Sequence, residues 1–75
     1  MNVVPINVVP DNYDYVGNFT VAGSYALWER RDGTAHVVGV GGVDGPLYRI
    51  EWDEEPWEDP EDILDYYLDY VQKNL

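Results

Sequence analysis

The chain has no cysteine, a single histidine (His36) and, along its 75 residues, one serine (Ser24) and one lysine (Lys73). Each shortage excludes something. Without thiols, no disulfide and no thiolate metal site can staple so short a chain. One serine and one histidine, with no third group to complete a triad, leave no nucleophilic machinery, and paired carboxylates for glycoside chemistry need a cleft that a domain this small seldom builds. No enzymatic activity is expected. No apolar run is long enough to span a bilayer. The opening MNVVPINVVP lacks the basic and long apolar parts of a secretory signal, so the sequon Asn18-Phe19-Thr20 reads as chance and a cytoplasmic compartment is expected. Gly39, Gly41, Gly42 and Gly45 miss the dinucleotide fingerprint, because Asp44 takes the last required place, and no phosphate-cradling loop follows. The acids from Asp53 to Asp62 lack the central glycine and spacing of a calcium loop. Neither a metal nor a cofactor is expected.

What is abundant is aromatic side chains and negative charge. Seven tyrosines, three tryptophans and one phenylalanine give a small single domain large rings to bury. The formal net charge is −11, from 15 acids against four arginines and lysines. It is unevenly spread. The stretch from Glu51 to Leu75 holds ten acids and one base, so almost all of the excess lies in the last third. Such a chain repels bare nucleic acid and anionic membranes and favours cationic protein surfaces.

The order of elements follows from local chemistry. Asn2-Val3-Val4-Pro5 recurs as Asn7-Val8-Val9-Pro10; prolines without an N–H and valines held extended predict an edge strand or arm lying over apolar surface. Asp11 to Asn18 read as a turn and a short aromatic segment, and Phe19 to Ala22, between Gly17-Asn18 and Gly23-Ser24, as a broken or bulged strand. Tyr25 to Val40 predicts a hairpin with a two-residue type I′ turn at Asp32-Gly33. That register sets Glu29 opposite His36, Trp28 opposite Val37, Leu27 opposite Val38 and Ala26 opposite Gly39. The small Ala26–Gly39 pair leaves a gap for a backbone or a ring. Leu47 to Trp52 alternates as a half-buried strand, with Tyr48, Ile50 and Trp52 on one side. Asp59 then reads as an N-cap, Pro60 as the first helical residue, with Glu61 and Asp62 in the first turn. The helix is expected to run to about Asn74. Leu64, Tyr67, Leu68, Val71 and Leu75 would face the sheet, with Ile63 at the margin.

The expected fold is therefore α+β, an antiparallel β-meander of three to five strands packed against one C-terminal helix. The sheet region would cover residues 1–52, an acidic linker 53–58 and the helix 59–75.

The outward helix face carries the functional signal. Asp62, Asp65 and Asp69 fall roughly 4.5 to 6 Å apart along the axis, where like charges destabilise a helix by a few tenths of a kcal/mol per pair. Duplex DNA presents a comparable row of phosphates. A carboxylate row can stand in for it against a DNA-binding protein. Tyr66 and Tyr70 sit beside the carboxylates and either contribute to an interface or cap the sheet edge. The expected partner-binding set is Glu54, Glu55, Glu58, Glu61, Asp62, Asp65, Tyr66, Asp69 and Tyr70. A solvated face explains the same charge without a partner.

In size, acidity and β-then-α layout, and in its Asp/Glu-rich final third, the chain resembles small phage-encoded inhibitors of bacterial defence, the anti-CRISPR and anti-restriction proteins of DNA-mimic type. The resemblance implies a non-enzymatic inhibitor, active in the host cytoplasm as a monomer or homodimer. Its partner would be the basic nucleic-acid channel of a CRISPR effector or a restriction enzyme. Two other readings stand beside it: an immunity or antitoxin-like subunit that pairs with a cationic toxin, and an accessory protein of a halophile.

Overall fold

A computed structural model describes residues 1–54 and 59–73. Five strands, β1 (Asn2–Ile6), β2 (Tyr13–Thr20), β3 (Ser24–Arg30), β4 (Ala35–Val40) and β5 (Leu47–Glu51), precede one helix, α1 (Pro60–Lys73). They form one antiparallel sheet in the order β1-β5-β4-β3-β2. The last four strands are a meander. β1 instead joins the outer side of β5, from Asn2 opposite Glu51 to Ile6 opposite Leu47. Pro5, which cannot donate to a ladder, is tolerated there because β1 is an edge.

The central hairpin has the expected register, with Glu29 opposite His36, Leu27 opposite Val38 and Ala26 opposite Gly39. Its turn differs from the type I′ expected. That turn needs positive φ at both central residues, and Asp32 does not adopt it; Gly33 alone in the turn does, at φ 77°. The turn is closed by the Gly33 N–H donating to the Arg30 carbonyl at 2.7 Å. The reason lies in the Asp32 carboxylate. It accepts from Arg30 Nε at 2.8 Å and from the Thr34 N–H at 3.0 Å and hydroxyl at 2.7 Å. An Asp side chain that bonds the backbone two residues on builds its own turn. These contacts hold its pKa down at about 2, the Arg30 bond being the main cause.

β2 carries its bulge earlier than expected, its register against β3 shifting between Tyr15 and Gly17. The extra residue, Val16, flips the strand's alternation. Tyr13 and Tyr15 therefore share the face of Arg30 and Trp28, whereas Phe19 joins the opposite face, where it packs in the helix-side core.

That core unites Leu27, Val38 and Ile50 from the three inner strands with Ile63, Leu64 and Tyr67 of α1. Leu68 and Val71 extend it, as the helical spacing predicts. Ile63, expected at the margin, is 3% exposed and fully in the core. Met1, Val3 and Trp52 widen the sheet's apolar face, so the first helical turns bury a broader stripe. The Tyr67 ring lies between Tyr25 and Tyr48, with centroids 6.4 and 6.5 Å away, and burial raises the pKa of its phenol.

The other face of the sheet is covered without a helix. β1 and β2 occupy opposite edges, so residues 7–12 must cross four inter-strand gaps, about 19 Å at ~4.8 Å each. Seven Cα steps reach at most about 25 Å, which leaves little slack and suits the extended Val-Val-Pro repeat. Val9 and Ile6 pack with Leu47 and Trp28 against Tyr13, Ala35 and Val37. Trp28 thus shares this cluster with Ile6 and Val9 of the N-terminal segment. The gap at Ala26–Gly39 is filled from both sources anticipated. A Cβ on Gly39 would lie 2.4 Å from the Gly42 carbonyl oxygen and 3.2 Å from the Trp28 ring.

Candidate functional site: an anionic helix face

The helix begins where the sequence places it. The Asp59 carbonyl accepts from the Ile63 N–H at 3.1 Å, Pro60 is the first helical residue, and Glu61 and Asp62 occupy the first turn. With the Ile63, Leu64 and Tyr67 stripe turned inward, Glu61, Asp62, Asp65 and Asp69 are exposed. Asp62, Asp65, Tyr66 and Asp69 line one shallow, open depression on the helix. Glu54 is exposed in the bend after β5. Tyr70 is half-buried, so it belongs as much to the packing of the helix as to its outer face. Glu55 and Glu58, like Trp57, Asn74 and Leu75, lie outside the described residues.

Where the cations stand decides how much of this charge is free to act. Arg30 pairs with Asp32, Arg31 with Asp14 at 3.3 Å, Arg49 with Glu51 at 3.1 Å, and the Met1 ammonium with Asp53. All three arginines are thus engaged in the sheet and its turns. Lys73 reaches the helix face, bonding Asp69 at 2.9 Å in an i,i+4 pair. Among the described residues, Glu54, Asp59, Glu61, Asp62 and Asp65 take part in no ion pair. Asp11 and Asp44 in the loops are unpaired as well, but among the described residues the unpaired acids are densest in the first half of the helix, at Glu61, Asp62 and Asp65. The Lys73 pair is exposed on both sides, a kind of contact worth at most about 1 kcal/mol, so an incoming basic surface can take Asp69 over.

Tyr66 is half exposed and held from beneath. Its ring meets Trp52 edge-on, centroids 6.2 Å apart. The Trp52 indole N–H donates to His36 Nδ1 at 2.9 Å, and His36 Nε2 lies 3.2 Å from a Glu29 carboxylate oxygen. His36 is 1% exposed. An indole N–H can only donate, so Nδ1 carries the lone pair and Nε2–H donates to Glu29. This support was only half legible in the sequence. The hairpin register gives the Glu29–His36 pair, but the Trp52 contact depends on β5 lying beside β4 with His36 opposite Ile50.

Burial lowers the His36 pKa from its ordinary 6.5, against an opposing pull from Glu29. The unfolded chain therefore binds a proton near pH 6.5 that the native state takes up only at lower pH. Stability from this site is complete above pH 6.5 and falls as pH drops below it. Urea denaturation at pH 7.5 and 5.5 should show a lower midpoint at 5.5, and the difference should vanish in His36→Gln. A second loss should begin below pH 3.8, as protonation of Asp32 approaches its native value of about 2.

No helix among the described residues is long and apolar enough to cross a membrane. No group of three or more histidine, aspartate or glutamate side chains among them converges on a point where a metal ion could sit. Comparison with protein-family models, curated proteins and solved structures found no match.

Proposed function

We propose that the protein is a non-enzymatic inhibitor that acts in the cytoplasm by occupying the basic nucleic-acid-binding surface of a defence protein, such as a CRISPR effector or a restriction enzyme. One observation carries the reading. All three arginines are engaged away from the helix, which leaves Glu54, Asp59, Glu61, Asp62 and Asp65 without an internal counter-charge. A fold that needed acids only for solubility would scatter them among cations. Here Glu61, Asp62 and Asp65 are gathered on one helix with the Tyr66 ring beside them, the arrangement that anchors interfaces. The carboxylates supply the charge that phosphates would, and Tyr66 supplies local fit.

The test is displacement. Purified CRISPR effector complexes and restriction endonucleases are loaded with labelled target DNA and titrated with the protein. Release of DNA from one of them is expected, weakening steeply between 50 and 300 mM salt because the contacts are charged. An enzyme blocked with its DNA still bound would favour the immunity-type reading instead. DNA retained and cleaved as before across both classes would overturn the proposal.

A further inference from the structure

The buried imidazole sits directly behind the half-exposed tyrosine of the anionic face. We infer that His36 is a proton-operated switch for that face: a proton taken up at Nδ1 breaks the Trp52 hydrogen bond and releases the support under Tyr66. The inference relies on the functional reading above only for what the face is for; the device itself is a property of the isolated chain.

The geometry permits one route. In the neutral ring, Nε2–H is directed to Glu29 and Nδ1 accepts from Trp52. A second proton, drawn from solvent, has only Nδ1 to occupy. Two N–H groups then face each other across a contact now 2.9 Å long. Turning the imidazole over gives no relief, because both nitrogens of the cation are donors. The Trp52 indole must turn away. Its ring stands edge-on both to His36, at 6.0 Å, and to Tyr66, at 6.2 Å. Its displacement therefore reaches the wall of the depression lined by Asp62, Asp65, Tyr66 and Asp69.

The surroundings single out Glu29 as the charged group that acts on the ring. Across the same sheet row lie Ile50 on β5 and Val3 on β1, both apolar, and beyond Glu29 lies Asp14 on β2, bonded to Arg31. The Met1 ammonium is held by Asp53. From the helix, Ile63 contributes an apolar side chain to the same core and Tyr66 stands beyond Trp52. Glu29 keeps its own half-exposed carboxylate toward Nε2 in either state, so the change is concentrated at Nδ1.

A pH titration of the intact protein by NMR tests this, with no binding partner needed. Between pH 7.5 and 5, the His36 Cε1–H, the Trp52 indole N–H and the Tyr66 ring resonances should move along one curve with a midpoint below 6.5. In His36→Gln, whose amide can both accept from Trp52 and donate to Glu29, the Trp52 and Tyr66 resonances should stay fixed over that range. Should that variant fail to fold, Trp52→Phe removes the opposing donor. There the His36 midpoint should rise above the wild-type value and Tyr66 should no longer follow it. Tyr66 and Trp52 resonances that ignore the His36 titration, or that titrate unchanged in His36→Gln, would overturn the switch. So would an unmoved His36 midpoint in Trp52→Phe. Because these readouts concern ring positions alone, a failed switch leaves the displacement assay untouched, and a failed displacement assay leaves the switch standing.

Discussion

Asp65→Lys should make the protein more stable and, on the proposed function, weaken its displacement of DNA. Position 65 lies four residues after Glu61, three after Asp62 and four before Asp69, all exposed on the same helix. In the native chain each of these is a like-charge neighbour; a lysine there converts three repulsions into attractions. At about 0.2–0.5 kcal/mol per pair, with the lost repulsions of similar size, the gain is about 1 to 3 kcal/mol. Position 65 is exposed, so the substitution disturbs no core contact. Binding should move the other way. Close charge pairs across an interface couple by about 1.5 kcal/mol or more, so DNA displacement should need at least about tenfold more protein. Opposite signs in the two measurements are what a functional strip requires. Higher urea stability with unaltered displacement would reduce the strip to a solvated face.

Gly45→Ala should be the most damaging single added methyl in the loop between β4 and β5. A Cβ at this position would lie 1.8 Å from the Val40 carbonyl oxygen and 2.9 Å from its carbon. Both are backbone atoms at the end of β4, and neither can swing aside as a side-chain tip could. The same loop is tied down by the Val40 N–H donating to the Pro46 carbonyl at 2.9 Å. To admit the methyl the loop must lift, which also withdraws the Gly42 carbonyl from Gly39 and uncovers part of the helix-free face. A loss of about 3 kcal/mol or more is expected, a large part of the roughly 5–15 kcal/mol that holds a small domain together. Gly41→Ala is the contrast. It has a positive φ of 88° but open space around it, so strain alone should cost about 1–2 kcal/mol. Urea midpoints that rank the two the other way round would show that the loop does not lie against the sheet as described.

Local chemistry was legible and long-range partnership was not. Asp32-Gly33 between two β-prone runs was enough to fix the hairpin register, because a turn pins the residues on either side of it. The helix start at Pro60 was equally clear. The turn type escaped because the Asp32 carboxylate has three donors to satisfy, which no dipeptide rule weighs. Pro5 marked β1 as an edge, yet that its partner is β5 could not be read from either strand. The acids of the candidate site were visible by spacing, and the i,i+4 link of Asp69 to Lys73 could have been drawn from the same spacing. The layer beneath them was hidden, since Trp52, His36 and Tyr66 meet only once sheet and helix are both in place.

The pairing of Val3 with Ile50 has a consequence for how the molecule assembles. The four-strand meander needs only neighbouring segments and can close early, whereas β1 must wait for the most distant strand of the sheet before it has anything to zip onto. Contacts so far apart along the chain form late and slowly. The N-terminal strand of the sheet is then the last to be seated, and the arm behind it is drawn across the open face like a clasp. Until that happens the rings of Trp28 and Tyr13 lack the cover of the arm, which makes the partly folded chain prone to aggregate.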